Sequence, residues 1–238
     1  MLTVAILAGG LGSRLRPMTE TVPKSLIEVN GEPFVLHQLR LLQGKGIRRV
    51  VLCVGHLGAL VQRVVGDGSG LGLRLEYSFD GPVLLGTAGA IKNALPKLGD
   101  AFFVMYGDSY LPCDYAAIAR NFASAHVLGL MTVFRNEGKW DTSNVEFETG
   151  KILAYSKVNR NPRMRYIDYG LGAFRAEAFN GVAEGKACDL TQLYANLLAQ
   201  DQLAAFEVSE RFYEIGSPAG LRETAEYLAA QRVTQDQA

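Results

Sequence analysis

The stretch Thr3-Val4-Ala5-Ile6-Leu7-Ala8-Gly9-Gly10-Leu11-Gly12-Ser13-Arg14-Leu15-Arg16-Pro17 decides how the rest of the chain is read. Thr3 to Leu7 is an unbroken β-prone apolar run, the pattern of a parallel strand buried on both faces. It passes directly into three glycines within four positions, which let backbone N–H groups approach an anion closely. Arg14 and Arg16 add fixed positive charge, and a guanidinium grips phosphate through two parallel hydrogen bonds. In an open α/β sheet, ligands bind beyond the carboxyl ends of the strands. The bend between this opening strand and its helix is therefore expected to hold a polyphosphate. A Walker loop is excluded, because no Gly-Lys-Ser/Thr follows at the required spacing. The dinucleotide fingerprint also fails: counted from Gly10, the position of its third glycine is Leu15. The plain alternative is a tight turn carrying two solvated arginines.

Working outward, strand-length apolar runs alternate with segments of helical period. Phe34, Leu36, Leu39, Leu41 and Leu42 mark a helix ending at Gly44 or Gly46, and Val50 to Val54 is the next strand. Leu57, Leu60, Val61 and Val64 have helical spacing up to Gly66. Leu73 to Tyr77 alternates like a strand, Gly86 to Leu95 reads as a helix, and Ala101 to Tyr106 is a third buried strand. Asp114 caps a helix carrying Tyr115, Ile118 and Phe122. After Leu128 the character changes to strands separated by polar turns: Leu128–Phe134, Val145–Phe147, Ile152–Tyr155 and Tyr169–Phe174. Asp189-Leu190-Thr191-Gln192 has the form of a capping box opening a helix through Leu193 and Leu197. Ser217-Pro218 opens the last helix, and Thr234 to Ala238 is a polar tail. The expectation is one α/β domain over 1–238, a Rossmann-like, mainly parallel, doubly wound sheet with a small strand-rich lobe. Its nucleotide-binding part would span about 1–125 and its sugar-phosphate part about 126–238.

Composition narrows the function classes. Lys+Arg and Asp+Glu each number 24, so no global field draws the chain to nucleic acid or a membrane surface. Cys53, Cys113 and Cys188 are odd in number and widely spaced, which fits free thiols in a reducing compartment. The apolar N-terminus lacks the basic region of a signal peptide. No apolar run approaches the roughly 18–20 residues of a membrane helix, so a soluble cytoplasmic protein is expected. His37, His56 and His126 are scattered without metal-ligand spacing.

Leu7-Ala8-Gly9-Gly10, Arg14-Leu15, Pro17, Thr19 and Pro23-Lys24 together resemble the signature of sugar-1-phosphate nucleotidyltransferases, enzymes of GT-A-like fold. The likeness continues through Val29-Asn30-Gly31-Glu32-Pro33, Leu85-Gly86-Thr87-Ala88-Gly89-Ala90, Tyr106-Gly107-Asp108 and Ile215-Gly216-Ser217-Pro218. The resemblance implies that Leu7, Ala8, Gly9, Gly10, Gly12, Ser13 and Arg14 hold the triphosphate, with Arg14 also stabilising the departing pyrophosphate. It implies phosphate contact for Lys24, which alone would read as a surface lysine. Gly86, Thr87 and Gly89 correspond to the base-binding loop, although a glycine-rich helix start explains them equally well. Asp108 is implied as a Mg²⁺ ligand and catalytic residue. The second metal carboxylate falls on Glu214, where the family usually has Asp.

On the sugar side, Lys157 is implied as a phosphate ligand, although the Glu and Pro that usually flank it are Ser156 and Val158. Arg160, Arg163 and Arg165 form a basic run beside it, which reads equally as a solvated loop. Asn144 and Asp168 are candidates for sugar hydroxyls or turn residues.

The implied reaction joins a nucleoside triphosphate to a sugar 1-phosphate, with pyrophosphate released and no covalent enzyme intermediate. Its length, Leu85–Ile91 and Asn30–Phe34 look most like the branch acting on GTP and heptose 1-phosphate for cell-surface polysaccharide. Mannose-1-phosphate guanylyltransferases and uridylyltransferases of amino sugars share similar stretches. A non-catalytic nucleotide-sugar sensor on the same fold is the reading from another class; loss of Arg14, Lys24 or Asp108 would mark it, and all three are present. A nicotinamide-dependent dehydrogenase is disfavoured by the loop spacing. A homodimer is a family-level expectation. With six residues after Arg232, no C-terminal left-handed β-helix or fused acetyltransferase is expected.

Overall fold

The computed structural model describes residues 1–236. Strand β1 (Thr3–Leu7) enters the glycine bend, which is shaped by single 3-10 turns at Ser13–Leu15, Met18–Glu20 and Lys24–Leu26. The two-residue strands β2 (Glu28–Val29) and β3 (Glu32–Pro33) form a small ribbon before helix α1 (Phe34–Gly44). Next come β4 (Arg49–Val54), α2 (Gly58–Val65), β5 (Arg74–Phe79), α3 (Gly86–Leu98), β6 (Ala101–Tyr106), β7 (Ser109–Tyr110) and α4 (Tyr115–Ala125). The second half contains β8 (Gly129–Arg135), β9 (Val145–Glu148), β10 (Lys151–Tyr155), β11 (Tyr166–Arg175), α5 (Leu190–Ala199), β12 (Leu203–Val208), β13 (Tyr213–Glu214) and α6 (Pro218–Asp236).

Strands β5, β4, β1 and β6 lie side by side and parallel, with β1 in register between β4 and β6. Leu7 aligns with Cys53 on one side and Tyr106 on the other, so three strands end at one level. The chain winds outward from β1 through β4 to β5, then crosses back to place β6 on the far side. Such a reversal opens a crevice at the carboxyl ends of the two central strands. Beyond β6 the sheet turns antiparallel: β11 pairs with β6, β8 and β9 pair with β11, and β12 runs parallel to β8. The strand-rich half therefore continues one nine-stranded sheet.

Apolar residues cover both faces, as doubly buried strands require. Val4, Ile6, Leu52 and Met105 pack with Leu39, Leu42, Val61 and Ile118 on the side of α1, α2 and α4. Ala5, Val51, Cys53 and Val104 pack with Ile91, Leu98, Leu193 and Leu197 on the side of α3 and α5. A smaller cluster of Leu15, Ile27, Val29, Phe34, Ile215 and Leu228 ties the glycine bend to α6.

Four local expectations change. The bend is not followed at once by a helix: Gly12 adopts a left-handed φ of 60° and Arg16 is extended, so only a 3-10 turn forms between them. At Asp189 half of the capping box is present. The carboxylate accepts from the Thr191 amide at 2.7 Å, but Gln192 turns along the helix to donate to Asn196. Helix α3 continues past Leu95 to Leu98, which is buried in the core. The tail read from Thr234 continues α6 to Asp236, and its last two residues lie outside the described residues.

Candidate active site

A cavity of about 350 Å³ opens where β1, β4 and β6 end. One wall is the glycine bend itself: Leu7, Ala8, Gly9, Gly10, Gly12, Ser13 and Arg14 all line it. The bend is held from below. The Thr19 hydroxyl donates to the Gly12 carbonyl at 2.9 Å, and Leu15 is anchored in the cluster with Ile215 and Leu228. Arg14 is exposed at the rim, whereas Arg16 does not line the cavity.

Lys24, Ser25 and Asp108 form the next stretch of wall. The Lys24 ammonium is 2.6 Å from an Asp108 carboxylate oxygen. Ser25 is 3% exposed, and its hydroxyl has no hydrogen-bond partner. A buried unpaired hydroxyl on a cavity wall is a group a bound ligand would satisfy. The Asp108 loop is fixed by Gln38, whose side-chain amide donates to the carbonyls of Tyr106 and Ser109, at 3.2 and 2.8 Å.

Glu214 is brought close by the β7–β13 ribbon, where it pairs with Ser109, and the Ile215 amide donates to the Asp108 carbonyl at 2.9 Å. Its carboxylate, however, accepts from the Gly216 amide and from the Ser217 hydroxyl, and it does not line the cavity. A Cβ built on Gly216 would lie within 2.6 Å of Glu214 Oε2, 2.9 Å of Lys24 Nζ and 3.1 Å of Arg14 Nη2. Three charged tips thus meet over one glycine.

Mg²⁺ at a nucleotide site takes one or two carboxylates and completes its shell with phosphate oxygens and water. Asp108 fits that requirement as a hard oxygen donor facing the cavity. Glu214 fits it only after releasing its own loop. Among the described residues, no three His, Cys, Asp or Glu side chains converge on one point, so substrate phosphates would supply most of the shell.

At the other end of the cavity stand Cys53, Asp80, Leu84, Gly86, Thr87 and Ala90. Asp80 follows β5 and accepts from the Leu85 amide at 3.2 Å. Burial raises its carboxyl above the ordinary range, and the Leu85 hydrogen bond opposes the rise. Gly86 has a φ of 70° and would place a Cβ 2.6 Å from the Cys188 carbonyl. That carbonyl accepts the amides of Ala88 and Gly89, capping α3 internally. Gly89 packs against Lys186 and does not line the cavity. Both glycines of this loop thus serve contact with residues 186–188, while Gly86 and Thr87 also line the cavity.

The sugar-side candidates divide. Tyr106, on the cavity wall, has Lys157 Nζ 3.3 Å from its hydroxyl. Asp168 accepts from the Gly170 amide at 3.1 Å and lies 3.4 Å from the Tyr155 hydroxyl. Asp168 pairs with Val133 of β8 just before the register of β11 becomes irregular, between Asp168 and Gly172. Burial raises the Asp168 carboxyl, with Lys157 opposing. At Asp189, burial is outweighed by the Thr191 hydroxyl and amide, by Lys157 and by Thr87, which hold the carboxyl below the ordinary range. Asn144 is structural here: it is buried and accepts the Asp168 amide at 2.9 Å. The basic run points elsewhere. Arg163 pairs with buried Glu146 at 3.0 Å, and Arg160 and Arg165 line a separate depression. The histidines stay outside the cavity, His37 bonding the Val29 carbonyl.

Sequence reasoning missed Asp80, Ser25, Tyr106 and Tyr155, and read Asp189 only as a cap. Asp80 carried a usable signal, since it stands just beyond a parallel strand, as Asp108 does.

Residues 3–144 match the family model described as nucleotidyl transferase. N-acetylmuramate alpha-1-phosphate uridylyltransferase of Neisseria meningitidis serogroup B is 29% identical over 221 residues, covering 92% of this chain and 94% of that protein. Mannose-1-phosphate guanylyltransferase of Mycobacterium tuberculosis is also 29% identical, over 90% of this chain, which spans 60% of that relative's length. HddC from Yersinia pseudotuberculosis, solved with GMP-PN, superimposes with a TM-score of 0.81 at 21% identity, covering 96% of this chain and all of that one. This likeness shows the fold.

Proposed function

The chain belongs to the nucleotidyl transferase family, as a sugar-1-phosphate nucleotidyltransferase, and we propose that its substrates are GTP and a heptose 1-phosphate. A phosphate oxygen of the sugar 1-phosphate attacks the α-phosphorus of the triphosphate. The new P–O bond forms as the bond to the β-phosphate breaks, and pyrophosphate leaves with its charge. The nucleophile is already an anion, so the protein's work is orientation and neutralisation. The amide-lined bend receives the triphosphate, Arg14 and Lys24 offset charge on it, and Asp108 would hold Mg²⁺. When bound, that ion supplies further neutralisation of the phosphate oxygens.

The observation that carries the choice of base is Asp80. An ionised carboxylate only accepts hydrogen bonds. Guanine presents two adjacent N–H donors on one edge, which match the two oxygens of a carboxylate. Uracil and thymine present a single N–H between two carbonyls, which a carboxylate would repel. The heptose assignment rests on the sequence likeness alone.

The test is a matrix of the common nucleoside triphosphates against a panel of sugar 1-phosphates, with pyrophosphate followed continuously. Turnover with GTP and a heptose 1-phosphate is expected. Turnover only with UTP or dTTP would overturn the guanine assignment and leave the reaction class standing.

A further inference from the structure

The first two turns of helix α6 are organised around one carboxylate. Ser217, just before the helix, accepts the Gly220 amide at 3.0 Å, the bond of an N-cap. The same hydroxyl donates to Glu214 Oε1 at 2.6 Å, and Glu214 Oε2 accepts the Gly216 amide. One turn on, a Cβ at Gly220 would collide with Glu214 Oε1 and lie 2.7 Å from the Glu214 carbonyl oxygen. A further turn on, the buried Thr224 hydroxyl donates to that carbonyl at 2.9 Å. Ser217, Gly220 and Thr224 are three and four residues apart, so they share one face of the helix, and that face is given over to Glu214. Glycine inside a helix lowers stability relative to alanine. At 220 the carboxylate fills the space that an alanine methyl would need, and a negative charge at a helix N-terminus is itself favourable.

We propose that Glu214 is a positioning residue, which clamps the Gly216–Ser217 turn beside Lys24 and Arg14 and leaves Asp108 as the carboxylate available to Mg²⁺. This rests on the reaction proposed above and departs from the ligand pair that the resemblance implies. Asp108 lines the cavity and Glu214 does not. To reach an ion on the phosphates, the Glu214 carboxylate would have to give up Gly216 and Ser217 together and uncover the helix cap. Its backbone is fixed as well, by pairing with Ser109 and by the Ile215 amide on the Asp108 carbonyl. The methylene by which glutamate exceeds aspartate is used here to lay the carboxylate over Gly220. The turn held in this way carries Gly216, whose open side faces the tips of Lys24 and Arg14.

The experiment separates the metal from the turn. Calorimetry measures affinity for the nucleoside triphosphate that turns over best, without sugar 1-phosphate, at saturating Mn²⁺ and again without metal. Mn²⁺ is expected to tighten binding to the parent, and Asp108→Asn should lose most of that factor. Glu214→Gln and Glu214→Ala should both keep it within about twofold, whereas losing a group that holds a metal costs about 10- to 100-fold. Both variants lack the charge, so their difference reports the clamp alone. Without metal, Glu214→Ala should bind the nucleotide roughly fivefold more weakly than Glu214→Gln. A merely structural clamp would lower the thermal midpoint of Glu214→Ala and leave the two affinities equal. Where Glu214→Ala does not fold, Glu214→Met, which keeps the length without an acceptor, takes its place. Loss of the Mn²⁺ factor in either Glu214 variant, or equal metal-free affinities of the two, overturns the inference. A parent that Mn²⁺ does not tighten overturns the metal role of Asp108, and the inference falls with it. Absence of pyrophosphate release by the parent with every substrate pair overturns the reaction itself.

Discussion

The Lys24 ammonium lies 2.6 Å from Asp108, across 84 residues of sequence, and joins the turn after the glycine bend to the loop after β6. The pair is only partly accessible, so each charge has given up some water to the other. Removing one partner leaves the second with a desolvated, unmatched charge. Asp108→Ala is expected to lower kcat by about 10²-fold or more, with an unchanged far-ultraviolet circular dichroism spectrum. Turnover within a factor of two of the original would remove Asp108 from the chemistry.

Arg14 is placed differently. It is exposed at the rim of the cavity, and its proposed work is on charge that develops at the leaving group. Arg14→Ala should therefore depress kcat by about 10²–10³-fold while the urea midpoint stays in place. A variant that changed only the midpoint would show a structural arginine instead.

Asp80→Asn tests the reading of the base. The amide offers one acceptor where the carboxylate offered two, so kcat/KM for GTP should fall by roughly 10- to 100-fold while that for UTP changes less. Steady-state assays of both nucleotides with one sugar 1-phosphate give the ratio. Parallel losses for the two would separate Asp80 from base choice.

Asp189 ties stability to pH. Its carboxyl titrates below the ordinary carboxylate range in the folded chain, so the cap it provides is complete above that range and is lost as acid protonates it. Asp189→Ala should cost about 1 kcal/mol near pH 7, and the gap between variant and parent should close as the pH falls below about 3.9, through the depressed folded value. Urea titrations at neutral and acid pH measure this. A gap that widened in acid would reverse the sign argued here.

The thiols should react unequally. Burial pushes both Cys53 and Cys113 up to about 12, so at pH 8 neither is a thiolate nucleophile, and Cys188 is the thiol left partly accessible. Iodoacetamide at pH 8 followed by peptide mass spectrometry should find the label on Cys188. Labelling of Cys53 at a comparable rate would mean that the floor of the cavity opens readily.

Much of this architecture is readable from local pattern, because a doubly buried strand must be apolar throughout and a half-buried helix must repeat every turn. Thr3–Leu7, Ala101–Tyr106 and the Asp114-capped helix obey those rules. Strand β12 follows them weakly: Leu203-Ala204-Ala205-Phe206-Glu207-Val208 lies half-exposed along β8, its short apolar run diluted by two alanines and broken by Glu207. The glycine bend and Asp108 were legible because their chemistry is concentrated in short motifs. Lys157 and Asp168 were legible as candidates, whereas Asp189 read only as a helix cap, because its approach to Thr87 depends on the packing of residues 186–190 on α3. Arg165 shows the converse: nearness in sequence to Lys157 did not bring it to Tyr106, and it lines a separate depression.

Gly216 has a consequence that reaches beyond its own loop. The atoms nearest its missing side chain are the mobile ends of Glu214, Lys24 and Arg14, not rigid backbone. A single methyl there would be tolerated by folding yet act as a wedge, spreading the cationic grip by a few tenths of an ångström. The turn that leads into the last helix, remote in sequence from the opening strand, thereby sets the spacing of the charges at the glycine bend.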